Sequence, residues 1–112
     1  MGDSAQRPRS SLLYVEDDAD IAALTVEVLE DMYDVEHASD GETALRFALS
    51  RRYDVMVVDR RLPGMDGVDF IRALRRAFRA DRGQKVSGAR RESRGTGYVV
   101  KLEGVTCRSE SP

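Results

Sequence analysis

Two short unbroken apolar runs stand out, Leu12-Leu-Tyr-Val15 and Val55-Met-Val-Val58. Neither alternates with polar residues, so each reads as a strand buried on both faces, the habit of a parallel sheet covered by helices. After the first run, Ile21, Leu24, Val28 and Met32 fall at helical spacing, with Leu29 widening the stripe. This predicts a helix capped by Asp18 or Asp20, running to about Met32 with that stripe in the core. Tyr33 to Ala38 alternates and suggests an edge strand. Ser39-Asp-Gly-Glu42 has the form of a capping box, before a helix that turns Ala44, Leu45, Ala48 and Leu49 inward. That helix ends near Arg51-Arg52, whose charge complements its C-terminus. After Asp59 comes a loop punctuated by Pro63, Gly64 and Gly67. A third helix opening at Asp66 or Gly67 carries Phe70, Ile71, Leu74 and Phe78 on one face. Arg72, Arg75, Arg76 and Arg79 lie on or near the other, read as a solvated face. The order β-α-β-α-β-α predicts a parallel sheet with right-handed crossovers. Met1 to Ser11 is polar and is expected to be a disordered leader.

Both apolar runs end in acid. Leu12-Val15 leads into Glu16-Asp17-Asp18, and Val55-Val58 into Asp59. Ligands of such sheets bind outside the carboxyl ends of the strands. Carboxylates gathered there raise one another's pKa unless a cation neutralises them. A hard, oxygen-only set with open positions suits Mg²⁺. Helix capping accounts for Asp18 or Asp20, but poorly for Asp59, because the next helix begins several residues later. His37, the single histidine, reads as a solvated residue of an edge strand; without other histidines or paired cysteines there is no zinc constellation.

At 112 residues the chain is one small domain with one core. Its net charge of −2 makes no general case for nucleic acid or membrane, but the charge is uneven. Residues 1–78 hold 16 acids and 10 bases, whereas residues 79–112 hold 4 acids and 8 bases. The lone Cys107 excludes an internal disulfide and fits a reducing, cytoplasmic setting. No apolar run approaches transmembrane length, and the N-terminus lacks a signal-like apolar segment.

Val15-Glu-Asp-Asp18, Asp59 closing an apolar strand, and Leu62-Pro-Gly-Met-Asp-Gly67 together resemble the receiver domain of bacterial two-component response regulators. The resemblance covers about residues 11 to 78. It implies a flavodoxin-like (CheY-like), doubly wound parallel α/β sheet of order 2-1-3-4-5. It also implies that Asp59 accepts a phosphoryl group from a histidine kinase, in a phosphorelay rather than as an enzyme. Glu16 and Asp17 would hold Mg²⁺ with Asp59, Asp17 being the closer ligand, and the Arg61 backbone carbonyl would complete the metal shell. Transcription would be controlled only through an output partner outside this chain; a homodimer is also open.

From about Arg79 the resemblance weakens. Residues 80–97 are rich in Arg, Gly and Ser and are expected to hold neither a buried strand of normal length nor an amphipathic helix. The fourth strand and helix and the fifth helix are therefore expected to be degraded or missing, leaving a core of residues 12–79 and a degenerate part of residues 80–112. Ser87 stands in for the family's switch hydroxyl. Gly97-Tyr-Val-Val-Lys101 stands in for the fifth strand, with Lys101 contacting phosphoryl oxygens. Leu102 replaces the family's proline. Two explanations stand, a shortened receiver and a non-native tail; either is expected to leave the edge of the third strand uncovered. Three functional readings follow: a phosphoacceptor domain, a phosphorylation-independent interaction module, and an inactive fragment. An aspartyl phosphohydrolase fits less well, because Arg61 stands where such enzymes place a second acid.

Overall fold

A computed structural model describes residues 9–59, 61–81, 84–92 and 97–104. The bulk of the expected leader and Cys107 lie outside the described residues. The elements are β1 (Ser10–Val15), α1 (Ala19–Leu29), β2 (Tyr33–Ala38), α2 (Gly41–Ser50), β3 (Val55–Asp59), the short pair β4 (Arg61–Leu62) and β5 (Met65–Asp66), α3 (Gly67–Asp81), β6 (Gln84–Arg91) and β7 (Gly97–Gly104).

The five long strands form one sheet of order β2-β1-β3-β7-β6. Its first three strands are parallel and in the predicted order 2-1-3, with Leu12 paired to both Val35 and Val55. The other two differ from expectation. The stretch expected to hold no buried strand of normal length forms an eight-residue strand, β6, in which only Gln84 is buried. The stretch matched to a fifth strand, β7, lies directly against β3 and runs antiparallel to it. β6 and β7 make an antiparallel pair with a register shift between Val86 and Gly88. The edge of β3, expected to be bare, is thus paired along its whole length.

Alternation decides which face each residue serves. Leu13, Val15, Met56, Val58, Val100 and Leu102 point to one face, where they bury with Ala44 and Ala48 of α2 and Phe70, Ile71, Leu74 and Phe78 of α3. Burying each of the larger of these side chains contributes about 1.5–3 kcal/mol. The third helix thus buries the face its spacing predicted, and its arginines are exposed. Leu102, in the family's proline position, is a core residue.

On the opposite face, among the described elements, only α1 packs, over Leu12 and Tyr14 through Ala22, with Val26 and Leu29 half-buried. Here the pattern misled. Ile21, Leu24, Val28 and Met32, read as a core stripe, are 50%, 67%, 69% and 66% exposed. The helix buries the adjacent, smaller-residue face instead and stops at Leu29, short of Met32. Val55 and Val57 of β3 are only half-buried, so that strand is not enclosed on both faces.

The caps follow local chemistry. The Asp18 carboxylate accepts from the Asp20 and Ile21 amides at 3.0 and 3.1 Å and opens α1. Asp40, not Ser39, caps α2, accepting from the Thr43 amide at 2.7 Å. Arg51 leaves the helix end to pair with Glu36, whose carboxylate also accepts from the Tyr53 hydroxyl. This cluster ties β2 to the segment entering β3. None of the helices among the described residues is long and apolar enough to cross a membrane.

Candidate functional site

Parallel pairing of β1 with β3 brings their carboxyl ends side by side, Val15 opposite Val58. The residues that follow are the acids. One carboxylate oxygen each from Glu16, Asp17 and Asp59 lie within 4.8 Å of one another. Asp59 is half-buried, Asp17 exposed and Glu16 buried. The sequence prediction of an acidic cluster at one sheet edge is met by these three side chains.

Glu16 is held firmly. Its carboxylate accepts from the Asp18 amide at 3.1 Å, and its backbone amide donates to the Ala38 carbonyl at 3.0 Å. The Tyr14 hydroxyl reaches the same carboxylate at a long 3.4 Å. His37 Nε2 meets the Glu16 carbonyl oxygen at 2.7 Å. His37, exposed on the edge strand as expected, also helps anchor the loop carrying the acids. Only its register opposite Tyr14, one residue from the end of β1, could have signalled this.

Burial pushes the Glu16 carboxyl above its ordinary range, the Asp18 amide partly opposes this, and the charges of Asp59 and Asp17 raise it further. Burial likewise raises the Tyr14 phenol. Burial and like charges both work against the ionised form, and a cation beside the carboxylate would offset them. The donor set is all oxygen and open on the Asp17 side, which fits a hard divalent cation of the Mg²⁺ type. Arg61 begins the β4–β5 turn two residues beyond Asp59, paired with Asp66. Gly64 at the tip of that turn has φ of 80°, a left-handed conformation that favours glycine.

The other two predicted site residues are not brought to the acids. Because β7 is antiparallel to β3, Gly97 pairs with Asp59 and Lys101 pairs with Val55, at the far end of the strand. A parallel strand ending in Lys101 would have brought it to the acidic edge; reversal of direction carries it away. Ser87 is exposed and donates to the Lys101 carbonyl at 3.3 Å, so it sits at that far end too. What does approach Asp59 is Gly97 backbone: a Cβ there would collide with the Val58 carbonyl oxygen. Sequence reading missed Gly97, although a glycine opening an apolar run signals close backbone approach.

A groove of about 440 Å³ opens beside the acids, lined by Glu16, Asp59, Tyr14, Ile21, Val57 and Gly97 among others. It gives a reactant approach to Asp59 from the side of the sheet that α1 covers only in part.

Comparison with known proteins agrees with this geometry. The chain is 37% identical over 82 residues to the alkaline phosphatase synthesis transcriptional regulatory protein SphR of Synechococcus elongatus, covering 64% of this chain and 32% of that protein. It is 34% identical over 67 residues to the response regulator ArlR of Staphylococcus haemolyticus, covering 59% of this chain and 31% of that one. The chain thus spans about a third of the length of these curated relatives. Among solved structures it resembles a sensor protein from Polaromonas, with 42% identity and a TM-score of 0.60 over 67% of this chain and 61% of that one. It also resembles the chemotaxis response regulator CheY4 of Vibrio cholerae, with 37% identity and a TM-score of 0.58 over 60% and 57% of the two chains. The response regulator receiver domain matches residues 12–85, from the first core strand through both acidic strand ends to the start of β6. By that match, the chain belongs to the receiver domain family of two-component response regulators.

Proposed function

We propose that this receiver domain accepts a phosphoryl group on Asp59 from a histidine kinase, with Mg²⁺ held by Glu16, Asp17 and Asp59, and passes the change to an output partner beyond this chain. The observation that carries the reading is the convergence of three carboxylate oxygens within 4.8 Å at the carboxyl ends of β1 and β3. A single strand slipped by one residue would turn Asp59 to the other face and undo it.

In the reaction, an Asp59 carboxylate oxygen attacks phosphorus in line. The new oxygen–phosphorus bond forms as the bond to the donor imidazole nitrogen breaks, and that nitrogen keeps the electron pair. Catalysis of this kind is mainly positioning and charge management. The bound metal would supply neutralisation of the acids and of the phosphoryl oxygens. Glu16, fixed through the Asp18 amide, holds its carboxylate in place before the donor arrives. Half-burial of Asp59 limits water at the acyl phosphate while leaving one side open. On this reading the chain is its donor's substrate rather than an enzyme, and it works in the cytoplasm, where such donors act. The name of the cyanobacterial relative supports a transcriptional output.

The displacement of Lys101 and Ser87 favours a second reading, an interaction module whose signalling does not depend on phosphorylation. Amide NMR of the ¹⁵N-labelled chain, titrated with Mg²⁺ and then with beryllium fluoride as an acyl-phosphate mimic, separates the two. The first reading expects shifts at Asp17 and Asp59 with both ligands, and no fluoride response in Asp59→Asn. Dispersed peaks that ignore both ligands would overturn it and leave the interaction module.

A further inference from the structure

The acids lie at one end of the sheet, and the other end holds a separate cavity. It measures about 320 Å³ and sits where the carboxyl end of α2 meets the last turns of α3 and the first residue of β6. Ala48, Leu49, Arg51, Arg52, Phe78 and Gln84 line it. None of these lines the acidic groove. Gln84 holds the backbone of Tyr53, which precedes β3, whereas Asp59 closes that strand. The length of β3 therefore separates the cavity from the acids.

Gln84 is the anomaly. It stands two residues before Val86, which packs against the α2/α3 core, so it turns to that same face. It is only 6% exposed. Its Nε2 donates to the Tyr53 carbonyl at 3.0 Å, which fixes the donor half of the amide. Its Oε1 is buried and has no hydrogen-bond partner, alone in this among the side chains of the described residues. A buried acceptor without a donor is costly, and an apolar residue here would extend the core without that cost. The amide instead gives the cavity an acceptor that an N–H group can satisfy.

The rest of the lining sets the other requirements. Ala48 and Phe78 are buried and Leu49 half-exposed, so the body of the cavity is apolar. Arg51 lies over the Phe47 ring and is neutralised by Glu36. Arg52 is exposed and has no ion pair among the described residues. One positive charge is thus left uncompensated. A single carboxylate balances it, while the partial negative charge at the carboxyl end of α2 opposes a doubly charged group.

We infer that this cavity binds a small monocarboxylate with an apolar body and an N–H donor. The donor pairs with Gln84 Oε1, the body lies against Ala48, Leu49 and Phe78, and the carboxylate meets Arg52. The volume is at the small end for ligand pockets. Indole acids and acylated amino acids share this chemistry.

Amide NMR of the ¹⁵N-labelled full chain, titrated with indole-3-acetate and separately with N-acetyl-leucine, tests the inference. At least one probe should saturate, with a Kd on the order of 1 mM or tighter. Its shifts should centre on the Gln84 side-chain NH₂ and the amides of Ala48 to Arg52, leaving those of Asp17 and Asp59 in place. The melting temperature should rise with its concentration. Whichever probe saturates names the skeleton of the ligand. Methylating its nitrogen removes the donor and esterifying it removes the charge; each should weaken binding about tenfold. Arg52→Gln should weaken the free acid to the same extent and leave the ester unaffected, with unchanged circular dichroism because the side chain is exposed. If neither probe saturates, the inference falls. It falls equally if binding survives both modifications and Arg52→Gln, which marks apolar adsorption only, or if the shifts gather at Asp59 instead of Gln84.

Discussion

The two halves of the sheet share one core but were built by different rules. In residues 10–59 helices separate the three strands, pairing is parallel, and every carboxyl end points to the same edge. There the acids collect. In residues 84–104 two strands pair directly with each other, antiparallel, and the inner one lies against β3 in the reverse direction. Among the described residues of that half, Glu92 and Gly97 line the groove beside the acids, while Ser87 and Lys101 do not. Core burial is equally served by either direction, because Val100 and Leu102 fill the α2/α3 face as completely as Met56 and Val58 do. Site geometry is not, because direction decides which end of a strand a side chain occupies. A core tolerates an inverted strand; a site built from strand ends does not.

The largest effect should be chemical. If the reversed half has left the site, Asp59→Asn abolishes the response to beryllium fluoride, while Lys101→Ala and Ser87→Ala leave it intact, read by the same amide shifts. Loss of the response in Lys101→Ala would mean that the lysine reaches the acids after all and that the two halves cooperate in the chemistry.

Next comes the core. Leu102→Ala should cost about 2–4 kcal/mol by urea unfolding, the ordinary range for truncating a buried leucine. Because Leu102 packs in the cluster shared with β1 and β3, the loss should be global, appearing in hydrogen exchange of β1 amides as well as β7. Exchange speeding up in β6 and β7 alone would show the hairpin to be an appendage. Gly97→Ala should cost about 1–3 kcal/mol, because the added methyl forces β7 away from the Val58 carbonyl. It should also shift the Asp59 amide, whereas a change at the Lys101 end should not.

A pH effect tests the cluster that ties β2 to β3. Burial, reinforced by the hydrogen bond and charge of Glu36, pushes the Tyr53 phenol up to about 12 from an ordinary value of 10.0. A group raised in the folded state contributes stability that is complete below its unfolded pKa. That stability is lost as pH rises through the folded one. The domain should therefore lose stability between about pH 10 and 12, and Tyr53→Phe should flatten that limb in thermal melts. Glu36 is shifted the other way, lowered first by the Tyr53 hydroxyl and then by Arg51. Its contribution is present above its unfolded pKa and lost as pH falls through the folded one, so Tyr53→Phe should also soften the acid limb.

The smallest effect belongs to the residue the periodicity overvalued. Met32→Ser should change stability by no more than about 0.5 kcal/mol, because Met32 is 66% exposed in the turn after α1. A cost of several times that would restore it to the core.

Much of this was legible in the chain itself. Unbroken apolar runs ending in acid marked β1 and β3, alternation marked β2, and the spacing of Phe70, Ile71, Leu74 and Phe78 marked α3. These are local patterns enforced by local physics: pleat, helical period, and acids at helix starts. The boundaries slipped where two caps competed, as at Ser39 and Asp40. On α1 two faces competed. The larger residues Ile21, Leu24 and Val28 made the more convincing stripe, yet the narrow space over β1 and β2 takes the face with Ala22. Helix period tells which residues share a face, not which face meets the sheet.

What the sequence determined was therefore the identity of the elements and the acids that close two of them. Only the tertiary structure decided that the last strand enters the sheet reversed. A strand's residues alternate in the same way read from either end, so Gly97-Tyr-Val-Val-Lys101 fits beside β3 in both directions. The choice lies in the antiparallel pairing of β7 with β6, Val86 opposite Leu102. That choice, made between strands far from Asp59 in sequence, left Glu16, Asp17 and Asp59 together and carried Lys101 to the other end of the sheet.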